Sequence, residues 1–148
     1  MKLRVVWIGK TKNPQLAKLC TDYISRIAHF LPLEITEIKE GHGGIRAEGA
    51  KILASLSPSD RVAVLDARGA SWTSDQLANF VQQHMTSDPR RLSFVIGGPD
   101  GLTDEVKRRA DVQWSLSRLT FTQELTRVLV LEQLYRALAI IRNLPYSK

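Results

Sequence analysis

A chain of 148 residues, 43 % hydrophobic and 24 % charged, suits one packed domain and argues against disorder and against a multidomain arrangement. Its 21 basic and 15 acidic side chains leave a net charge of +6, with eight basic against five acidic in residues 1–50 and again in 101–148, and five against five between. The surplus is no basic tail; it favours a polyanionic partner through counterion release without establishing one.

Leu3–Ile8 is a short apolar run stopped by Gly9-Lys10 and reads as a buried strand. The N-terminal residues are too few and too interrupted for a secretory signal, and no run approaches the ~20 apolar residues of a membrane span, so a cytoplasmic protein with no membrane partner is expected. Asn13-Pro14 predicts a helix start, with asparagine as cap and proline preorganised behind it. That helix runs to about Ile27 with Leu16, Leu19, Cys20, Tyr23, Ile24 and Ile27 on one face. Cys20, the only cysteine, excludes an internal disulfide and reads as a buried structural thiol. Leu33–Ile38 is a second strand, residues 41–44 a glycine-rich break, and Arg46–Leu56 a helix with Ile52, Leu53 and Leu56 inward.

Arg61–Leu65 predicts a third strand closed by Asp66-Ala67-Arg68-Gly69, and Ser74 caps a helix carrying Leu77, Ala78, Phe80, Val81 and Met85. His84 falls on the polar edge of that helix, His42 in a solvated loop, and His29 near a helix end where the dipole favours a cation. Leu92–Ile96 is a strand stopped by Gly97-Gly98-Pro99-Asp100-Gly101. Thr103–Ala110 is a short helix, Val112–Leu116 a last strand, and about Gln123–Asn143 a long helix. Strands alternating with helices predict a single α/β domain over residues 1–148, its mostly parallel sheet covered by helices on both faces.

In such a sheet ligands bind beyond the carboxyl ends of the strands. Three ends stand out: Leu65-Asp66, the Gly97–Gly101 loop, and Leu116–Phe121. Consecutive glycines there either admit a ligand to the backbone or merely make tight turns. The glycine spacing fits neither the dinucleotide fingerprint nor a phosphate loop, and the three histidines lack metal-ligand spacing, so no metal is expected. Glu132 and Arg136 are placed to pair along the last helix.

Val64-Leu65-Asp66-Ala67-Arg68-Gly69, Phe94–Leu102, Trp114–Thr120, Arg127, Glu132–Ala137 and Pro145-Tyr146 occur in an order that resembles the SPOUT-class, H-type large-subunit (23S) rRNA methyltransferases of bacteria. The resemblance spans the whole chain. It implies a C-terminal trefoil knot, which local sequence rules cannot foresee, and a homodimer. It also implies S-adenosyl-L-methionine as cofactor and methylation of N3 of a pseudouridine in ribosomal RNA on the assembled ribosome. The cofactor residues carried over are Leu65, Gly97, Leu116, Ser117, Arg118, Leu119, Thr120 and Phe121. Arg127 and Tyr146 are the expected catalytic residues, and Tyr135, Arg136 and Lys148 the expected substrate contacts. For each of these a structural role is the alternative: core packing for Tyr135, pairing with Glu132 for Arg136, a solvated end for Lys148.

Two motif positions depart from the family. Thr122-Gln123 stands where relatives have proline and histidine, and Ser147 where they have histidine. Neither Gln123 nor Ser147 titrates near neutrality, so proton removal falls to solvent or Tyr146. The other reading is a non-catalytic or repurposed paralogue that keeps cofactor and RNA binding.

Overall fold

A computed structural model describes residues 2–146. The elements follow in the order β1 (Leu3–Ile8), α1 (Pro14–Ala28), β2 (Leu33–Ile38), α2 (Gly44–Ser55), β3 (Arg61–Ser71), α3 (Ser74–Ser87), β4 (Leu92–Val95), α4 (Asp104–Arg109), β5 (Val112–Ser115) and α5 (Gln123–Ile141). The five strands form one sheet in the order β2-β1-β4-β3-β5, and every pairing is parallel.

Side-chain alternation along the strands sorts the core into two layers. Leu3, Val5 and Trp7 of β1, Ala63 of β3, and Leu92 and Phe94 of β4 face α1, α3 and α5. Their neighbours Val6, Ile8, Val62, Val64 and Val95 face Ile52 of α2 and Val106 of α4. Both faces are thus covered, as expected of strands that read as continuous apolar runs. Cys20 is buried in the first layer, and burial pushes its thiol pKa up. At the amino edge of the sheet the buried Arg4 reaches Ser93 Oγ (3.3 Å) and Asp60 Oδ2 (3.2 Å), and Arg91 donates twice to the same carboxylate.

Helices α1, α3, α4 and α5 start at side-chain caps, and α2 starts at Gly43 without one. Asn13 Oδ1 accepts from the amides of Gln15 and Leu16, and Thr122 Oγ1 accepts from Leu125 N. Three expectations are corrected. The cap of α3 is Thr73, not Ser74: Thr73 and Gln76 form a reciprocal capping box, while Ser74 Oγ donates to Gln133. His84 is fully buried rather than at a polar edge, with Nε2 donating to the Arg90 carbonyl at 2.7 Å. Residues 66–69 do not end β3. Leu65 and Ala70 both pair with Trp114, so the four residues between are extruded as a bulge and the strand continues to Ser71. Gly69 makes this possible, because a Cβ there would lie 2.5 Å from the Gln113 backbone.

Candidate functional site

With all strands parallel, their carboxyl ends share one edge, and the loops after β3, β4 and β5 meet there. They enclose a hollow of about 250 Å³. Leu65, Gly97, Leu116, Ser117, Leu119, Thr120 and Phe121 line it together. The three separate stretches are therefore brought to one place by the topology. Arg118 is exposed and is not among the lining residues. The β5–α5 loop is braced from within: Ser115 Oγ donates to the Ser117 carbonyl and Ser117 Oγ accepts from Leu119 N, each at 3.0 Å. Leu119 is 70 % exposed, an apolar lip held over the opening.

The glycines make a tight turn, with Gly101 N donating to the Gly98 carbonyl at 3.0 Å, and Gly97 and Gly98 also line the hollow. A Cβ on Gly97 would lie 2.9 Å from the Leu102 side chain, and one on Gly98 would lie 2.5 Å from Glu48 Oε1. Their bareness lets the loop close onto its own protein support. Glu48, on α2, is thus wedged behind the loop. Its Oε1 is buried without a hydrogen-bond partner. Burial raises its pKa, helped by the carboxylates of Asp100 and Glu40 and opposed by Lys51.

The first turn of α5 grips the end of β1. Gln123, which also lines the hollow, donates from Nε2 to the Ile8 carbonyl at 3.0 Å. Arg127 Nη2 donates to the same carbonyl at 2.5 Å and Nη1 to Thr11 Oγ1 at 2.9 Å, with the guanidinium 5.0 Å over the Trp7 ring. Glu124 Oε1 accepts from Asn13 N. Arg127 is only 1 % exposed. The bonds it makes run within the protein, tying the first turn of α5 to the end of β1 and to the β1–α1 loop.

Tyr135, Arg136 and Tyr146 gather elsewhere. Tyr146 stands edge-on to the Tyr135 ring (centroids 4.8 Å apart) under the Arg136 guanidinium, and its hydroxyl lies 3.1 Å from that of Tyr23. Arg136 pairs with Glu132 at 3.0 Å, as its spacing predicts. Burial and hydrogen bonds with Tyr23 and Glu132 push the Tyr146 phenol well above its usual pKa. The protonated phenol is therefore favoured at neutral pH. Arg136 and Tyr146 line a second hollow with Ser74 and Gln133, and Arg136 lies thirteen residues beyond Gln123, about 20 Å along the helix. One chain does not bring these residues to the first hollow. Lys148 and Ser147 lie outside the described residues.

The sequence pointed to the Leu65-Asp66 end without assigning the Asp66 carboxylate, and it missed Thr126 and Gln123 as lining residues and Glu48 as a support. Asp66 had a signal, a carboxylate at a strand's carboxyl end; Glu48 had none, because only folding carries α2 behind the Gly98 loop. The chemistry of the hollow fits an adenosyl group: Leu65, Ile96, Leu102 and Leu116 offer apolar walls, while Asp66, Thr120 and Gln123 offer polar atoms at the rim. Among the described residues no cluster of His, Cys, Asp and Glu could hold a metal, and no helix is long and apolar enough to cross a membrane.

A parallel five-stranded sheet with a lined hollow at its carboxyl edge is an α/β nucleotide-type site. A family profile described as "Predicted SPOUT methyltransferase" matches residues 1–147, and the chain belongs to this SPOUT methyltransferase family. It is 42 % identical to the Ribosomal RNA large subunit methyltransferase H of Trichlorobacter lovleyi, covering 99 % of both chains. It is also 42 % identical to the protein of that name from Maridesulfovibrio salexigens (98 % of this chain, 97 % of that one) and 35 % identical to that from Gloeobacter violaceus (99 % and 98 %). The solved structure of a probable methyltransferase from Bordetella pertussis Tohama I is alike in fold, with a TM-score of 0.58 over 92 % of this chain and 93 % of that one at 10 % identity.

Proposed function

We propose that this chain methylates N3 of a pseudouridine in bacterial large-subunit ribosomal RNA, in the cytoplasm, using S-adenosylmethionine. The observation that carries the reading is the convergence of residues 65, 97 and 116–121 on one hollow, joined to near-full-length similarity to proteins named for rRNA methylation. When bound, the cofactor supplies an electrophilic sulfonium methyl. Leu65, Leu116 and Leu119 pack on the adenine, and loop backbone groups from Gly97 and residues 117–121 read its edge. The reacting nitrogen must lie in line with the methyl, so positioning provides much of the rate. The N3 proton leaves to solvent, since Tyr146 stays protonated and Gln123 does not titrate.

The active form in this proposal is a homodimer whose C-terminal segments are knotted. The separation of Arg136 and Tyr146 from the hollow supports it: a second subunit would supply these residues, and Lys148, as RNA contacts. Gln123 supports transfer over a binding-only paralogue. Its amide donates to Ile8, so the loss of histidine leaves the helix start anchored.

Transfer of a labelled methyl from S-adenosylmethionine to ribosomes lacking the modification tests the reading. Incorporation at one pseudouridine is expected. No incorporation by the natural chain, with recovery in a Gln123→His, Ser147→His double variant, would leave a binder in place of an enzyme.

A further inference from the structure

We propose that Asp66 is the residue that selects a ribose-bearing donor, its carboxylate accepting hydrogen bonds from the ribose hydroxyls. This rests on the adenosyl reading of the hollow given above.

Asp66 is the only ionisable side chain among the described residues that line the hollow. It stands there as the first residue of the bulge between Leu65 and Ala70, at the carboxyl end of the regular part of β3. The carboxylate is held, not mobile. Oδ1 accepts from Arg68 N at 3.0 Å, and Lys107 of α4 stands 3.5 Å from Oδ2; the side chain is 13 % exposed. A carboxylate has about four acceptor sites, and these two partners leave room for more.

Of the other polar side chains around the hollow, three are already engaged. Ser117 Oγ already accepts from Leu119 N, Thr126 Oγ1 donates to the Thr122 carbonyl, and Gln123 Nε2 donates to Ile8. An adenosyl ligand brings two adjacent hydroxyls out of water, and each donor left without an acceptor weakens binding. One fixed carboxylate can accept both. The same residue could instead act through charge alone, attracting the sulfonium. The two roles make different predictions, because S-adenosylhomocysteine keeps the ribose and lacks the sulfonium charge.

Calorimetric titration of the full chain and its D66N variant separates them. The ligands are S-adenosylmethionine, S-adenosylhomocysteine, and the 2′-deoxy and 3′-deoxy forms of the latter. For the natural chain, removing a hydroxyl is expected to weaken binding by about tenfold or more. D66N should weaken S-adenosylmethionine and S-adenosylhomocysteine alike by a similar factor and should no longer distinguish the deoxy forms. If the natural chain binds the deoxy forms as tightly as the parent, the assignment is overturned whatever the variant does. It is also overturned if the variant's loss and the deoxy loss simply multiply, or if D66N weakens S-adenosylmethionine alone. Failure of the natural chain to bind either parent ligand would remove the cofactor reading itself, and the Asp66 role with it.

Discussion

Gln123 Nε2 donates to the Ile8 carbonyl at 3.0 Å, joining the first turn of the last helix to the last residue of the first strand across 115 residues of sequence. Arg127 donates to the same oxygen from one turn further along. The β5–α5 loop, which forms one wall of the hollow, therefore ends on a helix whose position is tied to β1 by two side chains.

Loss of the buried tether should be costly. Arg127→Met removes the charge-assisted bonds to Ile8 and Thr11 and is expected to destabilise the chain by about 3 kcal/mol, from those lost bonds and altered packing on Trp7. Gln123→Ala, at a half-buried position, should cost about 1 kcal/mol while Gln123→His keeps a donor and costs less. Urea unfolding measures both. Equal stability of Arg127→Met and the natural chain would refute the positioning role.

Asp60 should contribute to the acid limb of stability. Burial raises its carboxyl pKa, but hydrogen bonds from Arg91 and the Ser57 amide, with the charges of Arg91 and Arg4, outweigh this and hold it below the ordinary 3.8. A carboxyl with a depressed folded value contributes stability above 3.8 that is lost as pH falls through that folded value. Asp60→Asn leaves Arg4 buried without its counter-charge and should cost about 3–5 kcal/mol at pH 7. Its stability should also change less than that of the natural chain below pH 4, read as urea midpoints against pH.

His84 gives a second pH dependence at a higher range. Burial holds its ring below the ordinary 6.5, although the Arg90 carbonyl and Asp88 favour the charged form. The unfolded chain therefore takes up a proton first as pH falls, and stability contributed by the neutral ring is complete above 6.5 and declines below it. His84→Gln should abolish the decline between pH 6.5 and 5, and an unchanged slope in the variant would count against the assignment.

Glu48 has the opposite sign. Its folded pKa is raised, so the protonated form is favoured in the fold and stability falls as pH rises from 4.5 through the elevated value. Glu48→Gln, uncharged at every pH, should remove that fall and be no less stable than the natural chain at pH 7. Because the side chain backs Gly98, S-adenosylmethionine affinity at pH 7 should stay within about threefold, under 1 kcal/mol; a collapse of binding would mean the charge itself serves the site.

Much of this protein was legible in its residues taken in order. Apolar runs of four to six residues bounded by glycine and caps announced the strands, and Asn13-Pro14 announced the first helix, because these signals act within a few residues of chain. The three strand-end stretches could be named for the same reason. Tertiary structure alone decided the rest. It extruded residues 66–69, brought Asp66 to the hollow, buried His84 and Arg127, set Glu48 behind Gly98, and placed Tyr146 at a different hollow from Leu65. Each of these depends on which backbone lies across from which, and contacts between residues up to about 120 positions apart leave no local periodicity to read.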